Sequence, residues 1–168
     1  MNLFMMRHGI AVERGAPGVK TDRDRQLTAK GVKHVRQEAE GLLALRLSFD
    51  RILTSPFPRS SETARIVAEI LGIKNNRLAK LAALAPGGTV TELMRSIRPY
   101  SKNTRLLLVG HEPLLSETIS YLLNGTEEME LRLKKGGICR IEVEGLPSKG
   151  AVLHWLLTPK QLRLLARQ

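Results

Sequence analysis

The sequence predicts an α/β fold of three layers: helices on both faces of a mainly parallel central sheet, with antiparallel strands added near the C-terminus. Three observations predict it. Apolar runs of strand length alternate with amphipathic stripes at helical spacing over residues 1–125, as in a parallel sheet covered on both faces. After residue 125 the pattern changes to short strand-like runs joined by Gly and Pro turns. The 168 residues, 42% hydrophobic and 26% charged, amount to one domain, 1–168, with enough apolar material to close a core.

Each element has its own signal. Asn2 to Met6 reads as a buried strand, followed by a polar, Gly-rich loop from Arg7 to Gln26 without periodicity. A loop that long is usually functional. Thr28 is the expected N-cap of a helix that carries Val32, Val35, Ala39, Leu42 and Leu43 on one stripe and ends near Leu47. Arg51 to Thr54 is a short strand, broken by Ser55-Pro56, and a helix runs from Pro58 to Leu71 with Gly72 as its stop. Leu78 to Leu84 is a weaker apolar segment; Val90, Leu93, Met94 and Ile97 then share a helix face, ended by Pro99. Arg105 to Val109 is uniformly apolar beyond its first residue, and Pro113 opens a helix to Asn124-Gly125. Strands are expected over Glu130–Leu133, Ile138–Val143 and Ala151–Leu157, with a closing helix from Pro159.

Composition excludes several classes. No apolar run approaches the ~20 residues of a spanning helix. Met1 to Met6 lacks a basic leader and a cleavage site, so a cytoplasmic location is expected. Cys139 is the single cysteine, which leaves no disulfide and no thiolate cluster for a metal; it reads as a small buried residue. Lys and Arg outnumber Asp and Glu by 27 to 16, a surplus suited to an acidic partner. Because the surplus is spread along the chain and aromatics are 4%, nucleic acid is the disfavoured version of that partner.

In open sheets, ligands bind beyond the carboxyl ends of the strands. Arg7-His8-Gly9 follows the first strand, Ser55-Pro56-Phe57-Pro58-Arg59 the second, and Gly110-His111-Glu112-Pro113 the apolar fourth. Two arginines and two histidines therefore converge on one rim. Guanidinium forks match phosphate oxygens in pairs, and a neutral imidazole can attack phosphorus and carry the phosphoryl group. Helix N-termini beyond Arg59 and His111 add partial positive charge.

These motifs, with Glu62-Thr63 behind Arg59, resemble the histidine phosphatase superfamily, also called phosphoglycerate mutase-like, over almost the whole chain. Arg25-Gln26-Leu27-Thr28-Ala29-Lys30-Gly31 is similar to a stretch of its short bacterial branch of SixA-type phosphohistidine phosphatases. The resemblance implies a single histidine phosphatase domain of phosphoglycerate mutase-like fold. It further implies that His8 is the nucleophile, that Arg7 and Arg59 clamp the phosphoryl oxygens and that His111 donates a hydrogen bond to them. Arg25 and Ser55 would line the site, Gly9 would let the backbone pass close to the phosphate, and neither metal nor cofactor is needed.

Larger superfamily members acting on phosphate esters use an acidic residue beyond the third strand to protonate the leaving oxygen. Here that region, Ala82 to Gly88, holds no carboxylate before Glu92. General acid catalysis is worth roughly 100- to 10,000-fold, whereas imidazole leaves readily without it. The expected substrate is therefore a phosphohistidine on a partner protein, a phosphotransfer domain among the candidates, with phosphate or another oxyanion filling the pocket. The alternatives are a phosphatase or mutase-like transferase of small phosphate esters, and a basic domain that only binds phosphate or nucleic acid. His34 is expected on a solvated helix face, His154 in packing beside Trp155, and Glu112 at the start of its helix.

Overall fold

The computed structural model describes residues 1–144 and 151–167. Six strands, β1 (Asn2–Arg7), β2 (Arg51–Thr54), β3 (Leu78–Lys80), β4 (Arg105–Gly110), β5 (Ile138–Glu142) and β6 (Val152–Leu157), form one sheet in the order β3-β2-β4-β1-β5-β6. The pairs β3/β2, β2/β4 and β4/β1 are parallel, and β1/β5 and β5/β6 antiparallel. Five helices accompany them: α1 (Ala29–Ala44), α2 (Pro58–Ile70), α3 (Val90–Ile97), α4 (Leu114–Asn124) and α5 (Pro159–Leu165).

Alternation along the central strands assigns each side chain to a layer. Phe4 and Met6 of β1 with Leu107 and Val109 of β4 pack with Val35, Leu42, Ile66 and Leu162, so α1, α2 and α5 cover one face. Leu3, Met5, Leu106 and Leu108 pack with Leu93, Ile97, Leu115 and Ile119, so α3 and α4 cover the other. The three-layer expectation holds. All four apolar residues assigned to the α3 face are buried, and Cys139 is buried with its thiol pushed up to about 12 by desolvation.

Several expectations are corrected. The segment Glu130–Leu133 is not a strand, because the Leu133 N–H is taken by the Glu112 carboxylate and the Met129 N–H by the Ser120 hydroxyl rather than by a neighbouring strand. α1 stops at Ala44, where Arg46 turns to a positive φ of 53°. Leu43 is half exposed, while Glu38 is buried between α1 and α5, bonded to Arg163 at 2.8 Å. Only Leu78–Lys80 of the weak apolar segment forms a strand. His154 is exposed on β6 and meets Glu142 at 2.8 Å, instead of packing.

Candidate active site

The site lies at the carboxyl ends of β1, β2 and β4, where parallel strands stop and leave backbone donors and helix starts pointing at one cavity. His8 follows β1 directly, and its N–H donates to Gly110 O at the end of β4. Arg59 stands in the first turn of α2, whose start is set by Pro58 at the first helical position. His111 follows β4. A cavity of about 210 Å³ collects Arg7, His8, Arg25, Arg59 and His111, together with Arg14, Asp22, Pro86 and Glu112. The four residues taken as the reacting set are thus brought together, with the His8 and His111 rings 4.9 Å apart.

Hydrogen bonds fix which nitrogen of His8 is free. Nδ1 lies 2.7 Å from Gly9 O, an acceptor only, so Nδ1 carries the proton. Nε2 then holds the lone pair, and Arg59 Nε donates to it at 3.3 Å. Burial, the neighbouring His111 and the two arginines press the His8 pKa down to about 3 against the opposing Gly9 bond, so the ring is neutral at pH 7.

His111 is held by hydroxyls instead. The Ser55 hydroxyl accepts from Phe57 N–H at 3.2 Å and lies 2.9 Å from His111 Nε2, with the Ser60 hydroxyl 3.2 Å from the same nitrogen. Two hydroxyls on one ring nitrogen hold the His111 ring in place from the Nε2 side. Burial, and after it Arg59, lower its pKa to about 3. Ser55 therefore holds His111 instead of lining the cavity. Gly9 also differs from expectation: a Cβ there would meet Val35 Cγ2 at 2.4 Å, so the room it leaves is for α1, not for phosphate.

Two residues were missed in the sequence, Ser60 and Asp22. Asp22 sits in a short 3₁₀ turn of the long loop, Asp22–Asp24. Its backbone carbonyl accepts from Arg59 Nη1 and its Oδ2 from Nη2, each at 2.7 Å. Oδ1 accepts from Arg25 Nη1 at 2.8 Å and Arg14 Nε at 3.0 Å. Desolvation opposes ionisation, but the bonds from Arg25, Arg59 and Arg14 outweigh it and hold this carboxyl well below the usual carboxylate range. Asp22 thus grips the end of the Arg59 fork and leaves its Nε edge toward His8. A carboxylate three residues before Arg25 in an unpatterned loop gives no sign of this; only the close approach of the loop to α2 does.

Glu112, the other carboxylate of the cavity, accepts from Leu133 N at 3.1 Å and Ser116 N at 3.4 Å. Arg7 extends across the cavity wall, its Nη1 donating to Leu133 O at 3.0 Å. His34 stays at the α1 surface, its pKa lowered by partial burial and by Arg163, away from the cavity.

Comparison with known proteins agrees with this architecture. A family model described as histidine phosphatase superfamily (branch 1) matches residues 3–88. An uncharacterised protein of Picosynechococcus sp. is 35% identical over 140 residues, 82% of each chain. The phosphohistidine phosphatase SixA of Escherichia coli is 25% identical over 166 residues, 98% of each chain. Among solved structures, the protein histidine phosphatase SixA complexed with tungstate matches with a TM-score of 0.83 at 25% identity, covering 96% of this chain and 99% of that one. A phosphoglycerate mutase from Bacillus anthracis, 15% identical, shares the fold with a TM-score of 0.73, covering 100% of this chain and 97% of its own. The matched family span carries Arg7, His8 and Arg59, the sheet supplies His111 from beyond it, and the chain belongs to the histidine phosphatase superfamily, branch 1.

Proposed function

We propose that the protein is a metal-independent phosphohistidine phosphatase, acting on a phosphorylated histidine of a partner protein through a phospho-His8 intermediate. The observation that carries this reading is the state of the two carboxylates in the cavity. Asp22 is held ionised by three arginines, and Glu112 is spent on two backbone N–H groups. Asp22 therefore carries no proton for a departing alkoxide, and both Glu112 oxygens are taken up by backbone N–H groups. A phosphohistidine ring protonated on its second nitrogen leaves as neutral imidazole and needs no such proton. The likeness to SixA over 98% of the chain points the same way.

The steps follow from the tautomer of His8. The Nε2 lone pair of His8 attacks phosphorus as the P–N bond to the substrate ring breaks, its electron pair returning to that ring. Proton-bearing Nδ1 remains tied to Gly9 O and stabilises the charge that His8 acquires. Arg7, the Nε edge of Arg59 and the His111 ring line the cavity that receives the phosphoryl group, and such preplaced donors supply most of the catalysis. Water then attacks phosphorus, the P–Nε2 bond breaks, and phosphate departs with the water's proton going to phosphate or solvent.

The test is phosphate release from a phosphohistidine peptide in EDTA. Wild type is expected to release phosphate and His8→Ala to lose at least ~1,000-fold, since removing a nucleophile leaves only background electrostatic help. Faster hydrolysis of a phosphoserine peptide would overturn the leaving-group argument, and dependence on an added metal would overturn metal independence.

A further inference from the structure

Arg7 and Glu112 border two cavities, the phosphate-sized one and a neighbouring groove of about 510 Å³. The apolar side of the groove is made by exposed Pro113 and half-buried Leu131, with Leu133 itself buried in the core, and Arg132 and Lys134 stand on its rim. Both cations are exposed, and among the described residues neither pairs with a carboxylate. Across the phosphate cavity, Arg14 and Arg23 are exposed on the long loop, Arg23 lying 5.5 Å over the Phe57 ring, which in turn abuts His111.

The two carboxylates that line these cavities are already engaged, Glu112 by Leu133 N and Ser116 N and Asp22 by Arg14, Arg25 and Arg59. The segment after α4 runs back along that helix: Ser120 near its C-terminal end binds Thr126 O at 2.7 Å and Met129 N at 2.9 Å, while Glu112 before its first turn binds Leu133 N. Glu127 and Glu128 are thereby pinned toward the far end, and Arg132 and Lys134 delivered to the active-site end. The backbone of Leu133, bonded to Arg7, fixes the groove's position relative to the phosphate-sized cavity.

Resting on the phosphohistidine reading above, we infer that this groove is the docking site for the polypeptide flanking the phosphorylated histidine, and that this flank is acidic. The apolar side suits the side-chain ring and its neighbours, and the two free cations suit carboxylates beside them. Each exposed pair contributes little alone. Several cations of one sign around a recessed site instead raise the association rate, by roughly 10- to 1,000-fold in strong cases. A small phosphate ester would fill the phosphate cavity and leave the groove without a role.

The experiment compares kcat/KM for two synthetic phosphohistidine peptides, one with Asp and Glu flanks and one with Asn and Gln flanks, with free phosphohistidine as reference. At low salt the acidic peptide is expected to be favoured about tenfold, the preference closing at ~0.5 M NaCl where screening is short-ranged. The double variant Arg132→Glu, Lys134→Glu is expected to lose the preference and keep the wild-type rate on free phosphohistidine, which also reports an intact fold. No preference in wild type, a preference that survives the double variant, or equal loss on free phosphohistidine would each overturn the docking assignment. Failure of wild type on every phosphohistidine substrate would overturn the functional reading instead. The same two flanks around phosphoserine would then still decide the groove.

Discussion

His8 and His111 are both uncharged because burial removes the water that would stabilise the imidazolium; His111 and the arginines further depress His8, and Arg59 further depresses His111. What distinguishes them is the partner of each ring. A carbonyl acceptor on His8 Nδ1 frees Nε2 to attack, whereas the Ser55 and Ser60 hydroxyls engage His111 at Nε2 and hold that ring as a fixed wall of the site. Arg59 is aimed by Asp22, so Asp22→Asn should lower kcat by roughly ten- to a hundredfold, the worth of a charge-assisted bond. Removing its negative charge also leaves three arginines less compensated, so inhibition by phosphate should tighten; steady-state kinetics with added phosphate would show it. A fall in kcat with weaker phosphate inhibition would refute the positioning role. Arg7, His8, Arg59 and His111 were legible in the sequence because each sits just past or near a strand end, where ligand chemistry concentrates. Asp22 and Ser60 were not, since their partners stand 37 and 51 residues away.

At the scale of elements, the turn at 134–137 matters as much as any helix. Gly136 donates its N–H to the carbonyls of Arg7 and His8, locking the end of β1, and it does so at φ 83° with the Glu38 carboxylate against its Cα. A Cβ there would lie 2.2 Å from Glu38 Oε2. Gly136→Ala combines left-handed backbone strain with that clash and is expected to cost ~2–4 kcal/mol, read as a lower denaturation midpoint with activity falling in parallel. An unchanged midpoint would remove the turn from the supports of the site. The strand expected over 130–133 failed for a related reason. Its apolar spacing is real, with Leu131 and Leu133 turned toward the core, but Glu112 just before α4 takes the Leu133 N–H, and Ser120 of α4 that of neighbouring Met129, instead of a strand ladder. Periodicity reports burial, and a carboxylate acceptor can replace a neighbouring strand without altering it.

For the whole molecule, buried titratable groups set opposing slopes of stability with pH. His8 and His111 have folded pKa values near 3 against an ordinary 6.5, so the unfolded chain binds more protons between those limits. Their contribution is complete above 6.5 and is lost as pH falls toward 3. Glu38 is the reverse: desolvation, only partly offset by Arg163, raises it to about 7 from 4.5, so its contribution is complete below 4.5 and is lost as pH rises through 7. Glu38→Gln keeps the oxygen that accepts from Arg163 and removes the buried charge. Its stability relative to wild type should therefore improve by on the order of 2 kcal/mol between about pH 5 and pH 8, measured by chemical denaturation at both. A difference constant with pH would show that Glu38 does not titrate in that range.

Sequence alone determined the layers and the four residues that converge, because hydrophobic periodicity and strand ends are local properties of the chain. The three-layer arrangement follows from which residues must leave water, and the rim follows from where strands must stop. Tertiary structure decided the rest: the strand order that brings β4 beside β1, the loop that lays Asp22 on Arg59, the burial of Glu38, and the tautomer of His8. The first three depend on partners distant in sequence. A proton's place on an imidazole is set by the acceptor that folding brings to it, and no spacing along the chain encodes that acceptor.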